Sequence, residues 1–201
     1  MQTLVIIMNL YEIVDSNIKN RRTIKPESMN GKSIPDDELL SLLELANWAP
    51  THGFTEPWRF VIYKGAALAK FSSYHALLYK EETPKVKFQQ MKYDKILSRT
   101  EKVSHLIAIV MKRGNNIKIP EIEEIAATAI AVQNIWLGAT TKNIACYWGS
   151  GGMTYHPKMK EYLGFSEEDK VMGFLHMGYT DQDWPKGKRL SDIREKISIH
   201  E

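Results

Sequence analysis

The sequence predicts a protein of mixed helix and strand organised round one buried helix, and three observations predict it. The first is the stretch from Ile125 to Thr141, which contains no charged residue. Ile122, Ile125, Ala126, Ala129, Gln133, Trp136, Leu137 and Thr140 keep helical spacing on one face. The opposite face, with Ala127, Ile130, Ala131, Asn134 and Gly138, is small or apolar too. A helix of that kind has to be covered on every side. Its scattered Thr, Gln and Asn, and the three glutamates at its start, point to a core or a subunit interface rather than to lipid. The second observation is the segment directly after this helix. Ile144-Ala145-Cys146-Tyr147-Trp148 reads as a buried strand and runs into the turn Gly149-Ser150-Gly151-Gly152. The third is a pair of further strand patterns. Trp58 to Tyr63 alternates, and Val103 to Met111 has a continuous apolar centre.

In chain order, Leu4-Val5-Ile6-Ile7 is apolar but short for a signal core, with no basic region before it and no cleavage site after it. Met8 is a candidate start, and residues 1–8 are expected to be an extension without fixed structure. Leu10, Ile13, Val14 and Ile18 mark one face of a first helix over Asn9 to Asn20. It ends in the cations Lys19, Arg21, Arg22 and Lys25, with Thr23 among them. The plainer reading of this cluster is solvated charge at a helix C-terminus, where cations are favourable. The functional reading is an anion site, since two arginines and a hydroxyl suit a phosphate. A second helix starts at Pro35 or Asp36 and stops at Trp48-Ala49-Pro50. A polar loop comes next, from Thr51 to Pro57. Helices are expected over Ala66–Tyr79 and Pro84–Glu101, the latter polar and the most mobile part. The buried helix runs from Pro120 to Asn143, a short helix from Pro157 to Gly164, and a last strand from Val171 to Tyr179.

Several chemistries are excluded. The glycine turn lacks the Gly-Lys-Ser/Thr of a phosphate loop. It has Thr154 where a dinucleotide fingerprint needs its third Gly, and Trp148 where a hydrolase elbow needs Gly. A turn without a ligand and a turn whose amides approach a flat or anionic ligand both remain open on these residues alone. A single cysteine, Cys146, rules out a disulfide framework within the chain and a cysteine-rich metal site, and fits a reducing cytoplasm. No His-Glu-x-x-His pair occurs, so no metal site is expected. A net charge of +3, well mixed along the chain, gives no reason to expect nucleic acid. No membrane span and no internal repeat is found. At 201 residues the chain has the length for one domain or two small ones, and no linker divides it, so residues 9–201 are read as a single domain.

Four places together resemble the nitroreductase family of FMN-dependent oxidoreductases. They are Arg21-Arg22-Thr23 after the first helix, and Ala49-Pro50 through Glu56-Pro57-Trp58-Arg59-Phe60. The others are Trp148-Gly149-Ser150-Gly151 after its helix, and Leu163-Gly164 with Lys170 through Gly178. Each is weak alone; their order and spacing, from Met8 to Tyr179, make the joint signal strong, and the compact subgroup is the best match. The resemblance implies an α+β fold with a mostly antiparallel central sheet flanked by helices. It also implies an intertwined homodimer with FMN at the interface. Arg21, Arg22 and Thr23 then correspond to phosphate, ribityl or pyrimidine contacts, and Lys25 to a cation near the pyrimidine edge. His52 and Glu56 fall where the partner chain touches the flavin. Trp148, Gly149 and Ser150 line it, with Gly151 an amide donor near N5, and Lys188 and Arg189 complete the phosphate site. The family usually carries Gln where this chain has Glu56, and the tail after Tyr179 aligns loosely.

The activity implied is hydride transfer from NADH or NADPH through the flavin to a nitroaromatic, quinone or similar small-molecule acceptor, in a ping-pong cycle in the cytoplasm. No side-chain acid, base or nucleophile is obligatory, because the cofactor carries the redox chemistry. Three other readings stand beside it. One is a same-fold flavin enzyme for dehalogenation or flavin fragmentation. Another is an FMN-binding module without turnover, and the last is an interaction protein with no cofactor.

Overall fold

A computed structural model describes residues 9–201, and the expected extension over 1–8 lies outside the described residues. Helix α1 (Leu10–Asn20) starts at Asn9, whose side chain accepts the Glu12 N–H while Glu12 accepts the Asn9 N–H. This reciprocal cap fixes the helix start. Helix α2 (Asp36–Glu44) carries three acidic residues in its first turn and passes into a tight turn at Leu45–Trp48. Strand β1 (Trp58–Lys64) and helix α3 (Ala66–Glu82) come after it. The expected helix over Pro84–Glu101 is broken. A tight turn at Lys85–Lys87 and extended backbone at Phe88 and Gln89 precede a shorter α4 (Gln90–Leu97). The break lets Phe88 stack on Tyr79 at 5.5 Å between ring centroids, while the Gln89 N–H donates to the Tyr79 hydroxyl. Tertiary contact here outweighs local helical preference. Next come β2 (His105–Met111), α5 (Glu121–Thr141), β3 (Ala145–Gly149), α6 (Pro157–Tyr162) and β4 (Lys170–Gly178).

The four strands form one antiparallel sheet in the order β1-β2-β4-β3. All seven residues of β2 are buried, because both faces are covered. Ile107 and Ile109 face α2 and α5, while Leu106, Ala108 and Val110 face α3 and α6. The period of two along a strand thus serves two cores, which is why this strand reads as a continuous apolar run. The free edge of β3 is covered by the chain leaving α1: Thr23 bridges Cys146 and the Ile24 N–H donates to the Cys146 carbonyl.

Helix α5 is less enclosed than its composition predicts. Glu124, Ala127, Thr128, Ala131, Val132, Ile135, Trp136 and Ala139 form a buried face, but Ile122, Ala126 and Ile130 are exposed in the single chain. The hydroxyls of Thr128 and Thr140 bond back to carbonyls four residues earlier, so the helix buries them without unpaired polar atoms. Buried Glu124 meets the Arg113 guanidinium and the Gly114 N–H, tying the loop after β2 to the first turn of α5. Helix α1 has an apolar face and no buried residue at all. Among the described residues no helix is long and apolar enough to cross a membrane.

Candidate functional site

An open depression of about 710 Å³ lies where the end of α1, the second half of α5 and the end of β3 meet. It is lined by Arg21, Thr23, Trp148, Ser150 and Arg189 of the residues expected from sequence, together with Ile18, Gln133, Trp136, Tyr155 and Met172. Local structure explains this convergence. Trp136 on α5 donates its indole N–H to the Arg22 carbonyl at 3.1 Å, and the Arg21 guanidinium lies over the Trp136 ring at 4.7 Å. With the Thr23–Cys146 bridge, these contacts hold the segment after α1 between α5 and β3.

The floor is flat for a specific reason. Trp148 donates its indole N–H to the Met172 carbonyl at 3.0 Å and lies across Gly173. A Cβ on Gly173 would stand 2.2 Å from the Trp148 Nε1, and its φ of 138° is one that other residues rarely adopt. Only glycine leaves room for that indole.

The charge is unbalanced. Burial first, and then the charges of Arg22 and Arg189, pull the Arg21 guanidinium down from its ordinary value, although it remains a cation. Its guanidinium has no hydrogen-bond or ion-pair partner among the described residues. Among the described residues, Arg189 donates only to the neighbouring Lys188 carbonyl. Two cations beside a flat aromatic floor, with no carboxylate against them among the described residues, suit an anionic group attached to a planar ring.

Other expected residues lie elsewhere. Arg22 directs its guanidinium to the carbonyls of Lys19, Arg21 and Pro185, so it ties the tail to the end of α1. Lys188 lines the adjoining, larger cleft of about 1150 Å³ between α1, the end of α5 and the tail, and Arg189 borders both. Lys25 is exposed and lines neither. Gly149 and Gly151 turn to a small interior cavity behind Ser150. His52 pairs with Glu123 at 2.6 Å at the opposite end of α5, thirteen residues or about 20 Å of helix from Trp136. Glu56, in the same loop, is exposed with a positive φ of 41° and no ion-pair partner among the described residues.

Comparison with known proteins adds the decisive observation: the model of the nitroreductase family matches residues 18–179. The chain belongs to the nitroreductase family. A nitroreductase-like family protein from Bacillus cereus is 31% identical, with a TM-score of 0.79 over 97% of this chain and all of that one. The Bacillus subtilis protein YfhC, provisionally named an NAD(P)H nitroreductase, is 25% identical over 188 residues, 94% of each chain. The FMN-dependent nitroreductase NfnB of Mycobacterium smegmatis, solved with NADPH, is 18% identical. It shares the fold at a TM-score of 0.73 over 96% of this chain and all of its own.

Within this nitroreductase-family chain, sequence reasoning missed Tyr155, Met172 and Arg99. Arg99 reaches within 3.9 Å of where a Cβ on Gly151 would stand, and its guanidinium has no partner among the described residues. Gln133 carried a signal, as a polar side chain within the charge-free helix. Arg99 carried none, because it stands just past α4 in the polar run of residues 98–102.

Proposed function

We propose that this chain is an FMN-dependent oxidoreductase that takes a hydride from NADH or NADPH and delivers it to a nitroaromatic, quinone or similar small acceptor in a ping-pong cycle. The observation that carries this reading is the pair of uncompensated guanidiniums, Arg21 and Arg189, beside the Trp148–Gly173 floor. The residues present fit FMN. Arg21, Arg189 and the Thr23 hydroxyl supply donors for a phosphate and a ribityl chain, and the Trp148 indole seated over Gly173 gives a planar ring an aromatic surface to lie along. When bound, the flavin supplies the two-electron hydride chemistry that no side chain offers. The chain's own part is to hold the phosphate, orient the ring through the Trp148–Gly151 segment, and surround it with cations. Arg99, behind Gly151, is the cation whose field would favour negative charge on the reduced ring, whereas Lys25 stands outside the depression.

We infer further that the working unit is a homodimer in the cytoplasm. The loop that carries His52 and Glu56 sits against the start of α5, about 20 Å of helix from Trp136. That is too far to meet a ligand in its own chain's depression, and a second copy would bring it there. The uncovered faces of α1 and α5 support the same reading.

The test is the visible spectrum of the purified protein and of apo protein titrated with FMN. The expected result is one flavin per chain, with one equivalent of NADH or NADPH oxidised per flavin in the absence of oxygen and continued oxidation only when an acceptor such as a quinone is added. A colourless protein that cannot be loaded with FMN would overturn the proposal. Loading without turnover would leave a binding module instead.

A further inference from the structure

The Gly149–Gly152 turn has two sides. Ser150 faces the depression, whereas Gly149 and Gly151 face an interior cavity of about 10 Å³, roughly the space of one water molecule. That cavity is lined by Ser72, His75, Arg99, Thr100 and His176, a polar set enclosed by the apolar side chains Phe71, Leu106 and Phe174. Neither histidine belongs to the depression.

We propose that His75 and His176 are positioning residues that hold the Gly149–Gly152 turn from behind and so set the backbone that lines the flavin-binding depression. The geometry defines their protonation. The Met153 N–H donates to His75 Nε2 at 2.9 Å, and a backbone amide can only donate, so Nε2 carries a lone pair. His75 is therefore a neutral ring with its proton on Nδ1. His176 sits 3.3 Å through Nδ1 from the Tyr147 carbonyl, which can only accept, so its proton is on Nδ1 as well and its Nε2 is free to accept. His75 thus grips the turn just after its glycines, and His176 grips the strand just before them. Rings of Phe71 and Phe174, at 5.8 and 5.7 Å, hold the His75 imidazole in place. Gly152 makes the approach possible: with φ of 73°, a Cβ there would meet His75 Nε2 at 2.4 Å. Burial, the main cause, keeps both rings neutral at ordinary pH.

This inference rests on the flavin reading, and its test separates the two. Apo wild type, His75→Leu and His75→Gln are titrated with FMN, and the visible spectrum of bound flavin is recorded with each thermal melt. His75→Leu is expected to bind FMN about tenfold more weakly, the size expected when a buried N–H loses its acceptor, and to alter the bound-flavin spectrum. His75→Gln, whose amide oxygen can accept the Met153 N–H, is expected to restore both. Nitrogen-15 NMR of the wild-type holoprotein is expected to show the Nδ1–H tautomer for His75, with a through-hydrogen-bond coupling from its Nε2 to the Met153 amide. A folded His75→Leu with wild-type affinity and spectrum, or failure of Gln to rescue, overturns the proposal. If His75→Leu does not fold, an Nε2–H tautomer in the wild type overturns it alone. Wild type that binds no FMN sinks the flavin reading, while the tautomer in the FMN-free protein still decides whether His75 holds the turn.

Discussion

Arg21 and Arg22 are adjacent in the chain and do different work. Arg21 faces the depression with no protein partner, while Arg22 spends its donors on three carbonyls that join α1 to the tail. Arg21→Ala should weaken FMN binding by about ten- to a hundredfold, the range of a lost charge-assisted hydrogen bond, and leave the melting temperature nearly unchanged. Arg22→Ala should do the reverse: a melt lower by about 2–4 °C for each kcal/mol lost from tail docking, with a smaller effect on affinity. Fluorescence titration and thermal melts of the two single variants distinguish these roles. Equal effects of both on affinity would contradict the division.

Helix α3 and strand β4 are joined by more than apolar packing, since each contributes one neutral histidine to the cavity behind the glycine turn. Burial lowers both from about 6.5 to about 4, and the Arg99 charge pushes each in the same direction. Linkage sets the sign. The unfolded chain binds these protons at higher pH than the folded one, so their contribution is complete above about pH 6.5 and is lost as pH falls toward 4. The unfolding free energy from urea titrations should decline across that window, by up to about 1.4 kcal/mol per pH unit for each histidine. His75→Gln should flatten part of the slope. An unchanged slope in that variant would show that His75 titrates as it does in the unfolded chain.

The single chain leaves α1 without a buried residue and half of α5 uncovered, with Leu10 76% and Ile122 68% exposed. Hydrophobic faces of that extent on two helices call for a partner surface. Sedimentation should give a dimer at low micromolar concentration, and an FMN-loaded monomer would refute this. The dimer is also the condition for Glu56 to act. If the partner's loop carries this carboxylate to the flavin, it opposes negative charge on the reduced ring. Glu56→Gln should then raise the FMN midpoint potential by some tens of millivolts, about 30 mV for each 1.4 kcal/mol of relieved repulsion. Spectroelectrochemical titration measures this directly; a potential that stays put or moves negative removes Glu56 from the flavin's surroundings.

Local chemistry was enough to make most elements legible. Asn9 and Glu12 cap α1, Gly164 with φ of 81° ends the turn of α6, and the charge-free run announces α5, because caps and periodicity act within a few residues. The cationic end of α1 and the glycine turn were legible for the same reason, and the order of four short motifs was enough to identify the family. Tertiary structure decided the rest. It broke the helix after Pro84 so that Phe88 could reach Tyr79, and it separated Arg21 from Arg22 by the partners each found. It brought Tyr155 and Met172 to the depression, and it gathered Arg99, His75 and His176 round the cavity behind the glycine turn, the two histidines a hundred residues apart in the chain. Those outcomes depend on which distant groups satisfy a buried donor or charge, and such partners leave no periodic trace in the sequence.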